Sequence, residues 1–464
     1  MSIGSAAAPL RIAIVGSGPS GFYAAEALLD STLAVEVDML ERLPVPYGLV
    51  RHGVAPDHAK LKSVTGLFDG IARRDGFRFF GHVAMGRDVT AAQLQSMYHA
   101  VIVATGADGD RALGIPGEQL DGVHAAADFV GWYNGRPECA GLRFDLDQDV
   151  AAVIGQGNVA IDVCRLLATP VAALRSTDIA SHALDALAAS RVREIHLVGR
   201  RGPAQAKFTP KELRELGTLP GWQVIVDPAD LELNEASRAE AADPASTFVA
   251  KNLQVLRGFA AQPRSAARAI HLRFQQAPVA VHGEGRVRAL TLQRQWLEGP
   301  AGSQRAVPTR QEDRLEAGLV FRSVGYRGTG LPGLPFDAVR GVIPNAGGRV
   351  TDDGGTLLPG WYATGWIKHG PTGIIGTNRQ DSVETVQRLV EDLPLLEAPR
   401  VGRAALQAAL AGRGHRVISF DDWLLIEKAE RSNGQRAGKV AEKFVDVACM
   451  LDAAQAARVE AAPC

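Results

Sequence analysis

Apolar runs cut short by glycine set the rhythm of this chain. LRIAIV (10–15) leads directly into Gly16-Ser17-Gly18-Pro19-Ser20-Gly21, after which Phe22, Leu28 and Leu29 stand among the apolar positions of a helix. A second apolar run, VEVDMLE (35–41), ends on an acid, Glu41. Strand, glycine-rich turn, helix, strand and acid in this order predict a parallel βαβ unit. The pattern returns at DVAAVIGQGNVAIDVCRLL (149–167), where Gly155, Gly157 and Ala160 take the three glycine places. Its following strand, REIHLVGRR (193–201), comes after an Ala-rich insertion of helical character and ends on Arg200 and Arg201.

Other segments read by their period. Leu61, Val64, Leu67, Phe68 and Ile71 predict an amphipathic helix with Pro56 near its first turn. HAVIVATGAD (99–108) is a buried strand closing on the compact turn Ala104-Thr105-Gly106. Residues 267 to 297 read as β-rich with a hairpin turn at Gly283 and Gly285, and AGLVFRSVGYRG (317–328) adds a strand. In the stretch 360–393, strand, glycine-rich turn and long helix follow one another, the helix beginning near Gly373. VISFDDWLLIEKA (417–429) reads as a strand and helix completing a domain. The order predicts an α/β protein of two Rossmann-like, three-layer domains, the second inserted into a split first. The expected bounds are 1–108, 109–328 and 329–464.

The two strand ends differ in chemistry. A glycine-rich turn lets the backbone bend sharply and approach a pyrophosphate at the positive end of a helix. A carboxylate accepts a hydrogen bond from a free ribose 2′-hydroxyl and repels a 2′-phosphate, whereas guanidinium groups do the reverse. Gly16, Gly18, Gly21 and Glu41 therefore suit FAD, with Pro19 and Arg42 beside them as further cofactor-binding candidates. Gly155, Gln156, Gly157, Asn158 and Val159, with Arg200 and Arg201, suit NADP(H). Two nucleotide sites in one chain point to a flavoprotein taking hydride from a nicotinamide.

Bulk properties narrow the partners. The chain has 464 residues and a formal net charge of −1, so nothing at whole-chain level invites nucleic acid or an anionic membrane. No apolar run is long enough to span a bilayer, and the N-terminal MSIGSAAAPLR lacks the features of a signal or organelle presequence; the cytoplasm is expected. Cys139, Cys164, Cys449 and Cys464 are scattered without C-x-x-C or metal-ligand spacing, so neither a metal, a dithiol nor an iron–sulfur cluster is expected.

Four longer runs are more distinctive than the glycines: ERLPVPYGLVRHGVAPDHAKLKSV (41–64), GQGNVAID (155–162), LVGRRGPAQAKFTPKELREL (197–216) and ATGWIKHGPTGIIGT (363–377). With them the chain resembles the adrenodoxin-reductase-like ferredoxin–NADP⁺ reductases along essentially its whole length. That resemblance implies non-covalent FAD, NADPH as hydride donor to flavin N5, and single-electron transfer to a small acidic iron–sulfur ferredoxin serving cytochromes P450 or other redox enzymes. A monomer is expected. Leu49 and the turn Ala104 to Gly106 then fall on FAD contacts, and Gly365, Trp366, Gly373, Ile374 and Ile375 match the segment beside the flavin ring. Asn158, Arg200, Arg201 and Glu212 match NADP-binding positions. His58 and Asp162 match a polar pair placed near nicotinamide and flavin, as catalytic groups or as orienting ones. Glu212 also reads as the N3 acid of a capping box begun by Thr209, and Arg214 either as part of a ferredoxin-docking patch or as a solvated helix face. Disulfide reductases and glutamate-synthase-type subunits would need the cysteine clusters this chain lacks.

Overall fold

The computed structural model describes residues 3–396 and 399–461; Cys464 lies outside them. The chain divides into two compact units, one gathering Met1–Gly109, Asn134–Pro137 and Tyr326–Cys464, the other Asp110–Tyr133 and Glu138–Gly325.

Among the described residues, the first unit is built on a seven-stranded sheet. Leu10–Val15 lies between Val35–Glu41 and Ala100–Val103, parallel to both; Phe77–Gly81 extends one side and Leu357–Ala363 the other. The short strands Asn345–Ala346 and Arg349–Thr351 close the sheet antiparallel. A parallel sheet is covered on both faces, which is why its strands are apolar at almost every position. One face packs Ile12, Ile14 and Met39 against Phe22, Leu28 and Phe68. The other packs Val101, Val103 and Ala363 against Leu94, Leu406 and Leu410.

The second unit carries a parallel six-stranded sheet ordered Val123–Ala125, Leu319–Arg322, Val150–Ile154, Glu194–Val198, Arg268–Arg273, Trp222–Val226, again among the described residues. A three-stranded antiparallel sheet, Gln276–His282, Ala289–Glu298 and Arg305–Glu316, lays Val281, Leu290 and Leu315 on Ala152, Val198 and Val320 of the main sheet. The hairpin expected at Gly283 and Gly285 joins its first two strands. On neighbouring strands of the main sheet, His196 and His271 are register partners with stacked rings 4.5 Å apart. Arg273 Nε donates to His196 Nδ1 at 3.1 Å. Burial first, then the neighbouring His271 and Arg273, lowers the His196 pKa to about 3. Burial likewise lowers His271, and lowers His124 to about 4.

Three expectations of local structure change. The helix expected across 61–71 is two short ones, Ala59–Lys62 and Thr65–Ala72. At the break, Ser63 Oγ donates to Lys60 O and Thr65 Oγ1 to Lys62 O, side chains competing with the helical ladder. Phe68 and Ile71 are buried, but Leu61 and Leu67 stay exposed. The strand expected at Val417 is a single antiparallel bridge from Ile418 to Gly81. Immediately after it, Ser419 and Asp422 form a capping box that starts the helix Phe420–Ala437. The third is the helix expected to begin near Gly373, which begins at Thr377.

Candidate functional site

In the first unit the glycine-rich turn is shaped by crowding on one side and openness on the other. Gly16 has φ +108°, and a Cβ there would stand 2.5 Å from Ala104 O. A Cβ on Gly21 would stand 2.2 Å from Gly16 O, so helix and strand approach too closely for any side chain. Gly18 is different: a Cβ there meets nothing within 4 Å. It precedes the helix Pro19–Leu29, whose N-terminal N–H groups have no side-chain cap.

The acid at the strand end is held in place. Glu41 Oε2 accepts from Ser17 N–H at 3.2 Å and Ser17 Oγ at 2.7 Å, and Oε1 accepts from Leu43 N–H at 3.1 Å. Arg42 turns outward to Asp108 (3.3 Å), which Arg136 also holds at 2.8 Å. The loop after it returns to the glycine turn: Tyr47 N–H donates to Ser17 O, and Gly48 sits against Gly18 just before Leu49 begins a short helix.

The last third of the chain supplies the rest of this site. A Cβ on Gly365 would lie 2.1 Å from Ser20 Oγ, which brings the Gly365-Trp366 corner to the first turn of the helix Pro19–Leu29. Asp381 pins that corner, accepting from Gly365 N–H (2.7 Å), Thr364 Oγ1 (2.9 Å) and Lys368 Nζ (2.6 Å). Burial pushes the Asp381 pKa up, but these donors outweigh it and hold the carboxyl below its usual range. Trp366 Nε1 donates to Thr372 O at 2.9 Å, and its ring lies 5.8 Å from that of Tyr326. Gly373 takes φ +84°, Ile374 is 64% exposed, and Ile375 packs on the core.

The second unit repeats the turn with different surroundings. A Cβ on Gly155 would lie 2.1 Å from Ser323 O, while one on Gly157 meets nothing within 4 Å. Gln156 lies over Gly199, the residue before the arginines, and its carbonyl accepts from Lys207 N–H at 2.7 Å. Val159 is half-buried in the first turn of the helix Asn158–Ala168. Arg200 is exposed and Arg201 half-buried. Among the described residues neither guanidinium has a hydrogen bond or ion pair. Lys207, exposed and without a side-chain partner among those residues, adds a third cation.

Both turns fit a dinucleotide. Gly18 and Gly157 are the open points at which a phosphate can meet backbone N–H groups. In the first unit the buried polar atoms that lack partners among the described residues include Thr105 Oγ1, in the turn beside Gly16, and both ring nitrogens of His52. Gly106, next to Thr105, has φ +71° and open space beyond it. In the second unit, Arg200 and Arg201 offer a dianion donors that no group among the described residues uses.

Residues 10–215 match the family model described as pyridine nucleotide-disulphide oxidoreductase. The chain is 46% identical over 453 residues to mitochondrial NADPH:adrenodoxin oxidoreductase of Homo sapiens, covering 95% of this chain and 91% of that protein. It is 44% identical over 457 residues to NADPH-ferredoxin reductase FprA of Mycobacterium tuberculosis, covering 96% of this chain and 98% of the relative. The solved structure of Mycobacterium tuberculosis FprA in complex with NADPH matches with a TM-score of 0.90 at 43% identity, covering 96% of this chain and 100% of that one. The chain belongs to the adrenodoxin-reductase-like ferredoxin–NADP⁺ reductases. Members of this family use FAD and NADP(H), the pair that the two turns accommodate. The disulphide chemistry in the family model's name finds no C-x-x-C here, and Cys139 and Cys164 are buried and form no disulfide among the described residues.

Within this reductase the remaining expected residues fall as follows. His58 is half-buried at the start of the short helix Ala59–Lys62, in the first unit. Asp162, in the second, accepts from Arg165 Nη2 at 2.7 Å, with Arg165 only 4% exposed. Thr209 Oγ1 caps its helix by accepting from Glu212 N–H at 3.4 Å. The box is only half formed, because Thr209 N–H donates to Asn158 Oδ1 at 2.8 Å. Asn158 thus ties the glycine-rich turn to the helix carrying the buried Glu212, and Arg214 is exposed on that helix. Sequence reasoning missed Ser17, Asp381, Lys207 and His52. Only Lys207 had a visible signal, a cation six residues beyond the arginine pair.

Proposed function

We propose that this chain is an NADPH:ferredoxin oxidoreductase whose FAD domain comprises residues 1–108 and 329–464 and whose NADP(H) domain is 109–328. The observation that carries the reading is the opposite chemistry of two equivalent strand ends, an anchored carboxylate at Glu41 and guanidiniums at Arg200 and Arg201 that have no partner among the described residues. When bound, the flavin supplies the exchange between a two-electron hydride donor, accepted at N5, and a one-electron acceptor.

The chain's own residues bind and orient. Ser17 and Leu43 fix Glu41 to accept from a ribose hydroxyl, and Gly18 exposes helix N–H groups to the pyrophosphate. Leu49, Ala104 to Gly106, Gly365 with Trp366, and Gly373 to Ile375 surround the flavin in this reading. Arg200 and Arg201 hold the 2′-phosphate of NADPH, with Glu212 nearby along the nucleotide. His58 and Asp162 orient the nicotinamide, Asp162 itself being oriented by Arg165. The acceptor is a small acidic iron–sulfur ferredoxin docking on basic surface that includes the exposed Arg214. A cytoplasmic monomer is the state in which it works: the described cysteines form no disulfide, which suits a reducing compartment, and among the described residues no helix is long and apolar enough to cross a membrane.

The test is spectroscopic and then kinetic. NADPH added anaerobically is expected to bleach the yellow FAD-loaded protein, and cytochrome c reduction should rise when an acidic ferredoxin is supplied. A protein that stays colourless after FAD reconstitution, or one indifferent to ferredoxin, overturns the reading.

A further inference from the structure

The segment Tyr47–His52 is held from two sides. Towards the glycine-rich turn, Tyr47 N–H donates to Ser17 O at 3.0 Å, and a Cβ on Gly48 would lie 3.1 Å from Gly18 Cα. Tyr47 takes φ +83°, a conformation that a residue with a side chain adopts only when its surroundings impose it. Those surroundings are the rings of Phe22 and Phe68 and, from the helix Phe420–Ala437 late in the chain, that of Trp423. Trp423 Nε1 donates to Tyr47 Oη at 3.2 Å, and that hydroxyl donates to Asp69. One turn further along the segment, Arg51 Nη2 donates to Glu430 Oε1 at 2.6 Å, with both side chains at most 7% exposed. The Arg51 guanidinium also lies 5.0 Å from the centre of the Trp423 ring. Phe444 N–H donates to the same Glu430 oxygen, and Lys443 Nζ donates to Arg51 O at 3.1 Å. Trp423 and Glu430 are seven residues apart and so share one helix face.

We infer that Glu430 is a positioning residue for the flavin site: through Arg51 it presses the loop bearing Leu49 against the phosphate-binding turn. This rests on the reading that FAD occupies the first turn. A buried carboxylate with one cationic partner is costly to leave incomplete, and the cost falls on the geometry of the loop. FAD retention is then controlled from a helix almost 400 residues away in sequence.

The experiment is FAD titration of the full-length chain stripped of flavin, with FAD release from the holoenzyme followed by flavin fluorescence. NADP⁺ affinity and the melting temperature of the stripped protein are measured alongside. Glu430→Gln is expected to weaken FAD binding about tenfold and speed its release, with NADP⁺ affinity unchanged. Arg51→Met should do the same, and the double variant should be no worse than either single one. Trp423→Phe, which keeps an aromatic ring but removes the indole N–H and the pyrrole half of the side chain, decides the matter if the others do not fold, and should weaken FAD about threefold. A lower melting temperature with FAD affinity intact in the folded variants overturns the positioning role. A wild-type chain that does not bind FAD instead overturns the flavin assignment on which it rests.

Discussion

The ends of two corresponding strands show how differently a protein prepares for a hydroxyl and for a phosphate. Glu41 is fastened by three donors before any ligand arrives. Arg200 and Arg201 are fastened by none among the described residues. A hydroxyl offers the carboxylate a single short-range hydrogen bond with a net value of about 1.5–3 kcal/mol, so its acceptor must already be in position for the bond to count. A dianion attracts cations from a distance and forms charge-assisted bonds, so its partners can stay solvated until it docks. Order at one end and freedom at the other follow from the strength of the bond each has to make.

The largest effect should come from the free end. Arg200→Ala with Arg201→Ala is expected to weaken NADPH binding about 10²–10³-fold by calorimetry and leave NADH unchanged. Retained preference for NADPH would mean that the arginines merely solvate a strand end. Next is acid stability, to which buried histidines contribute in both units, His52, His82 and His99 in the first being lowered by burial as well. His196 has its pKa lowered to about 3 in the second unit, His124 to about 4, and His271 is lowered as well. The folded state therefore resists protons that the unfolded chain takes up near pH 6.5. Stability is complete above that pH and falls as the pH drops towards 3, by at most about 1.4 kcal/mol per pH unit for each such histidine. Urea melts at pH 7.5, 6.0 and 4.5 should show the slope, and His196→Leu should reduce it; an unchanged slope would clear His196. The smallest effect belongs to the fastened end. Ser17→Ala is expected to weaken FAD about fivefold, since Leu43 N–H still holds the other oxygen. Equal FAD affinity would show that anchoring Glu41 is immaterial.

What could be read from the chain was whatever lies within a few residues of itself. Strand, turn, helix and acid occupy residues 10–41, and each step has its own local signature. The same holds for the second turn and for the arginines after HLVG. What escaped joins distant residues. Arg51 and Glu430 are 379 positions apart, and Asp381 reaches back to a corner sixteen residues earlier for reasons only the folded corner reveals. Asn158 read as an NADP-binding position, but its bond to Thr209, which displaces half of a capping box that local spacing favoured, spans 51 residues. The helix expected across 61–71 failed on competition, because serine and threonine hydroxyls at the break satisfy the carbonyls that a continuous helix would have used.

The strand Ala100–Val103 lies between Leu10–Val15 and Leu357–Ala363. During synthesis, the second of these neighbours leaves the ribosome roughly 250 residues after the sheet's first four strands are complete, a delay on the order of 10–50 s. Throughout that interval the nascent chain carries an unfinished sheet whose open side is Ala-Val-Ile-Val, an adhesive edge of the kind that folding helpers shield. The inserted unit, by contrast, has all its strands in hand by Arg322 and can close while the polymer is still growing.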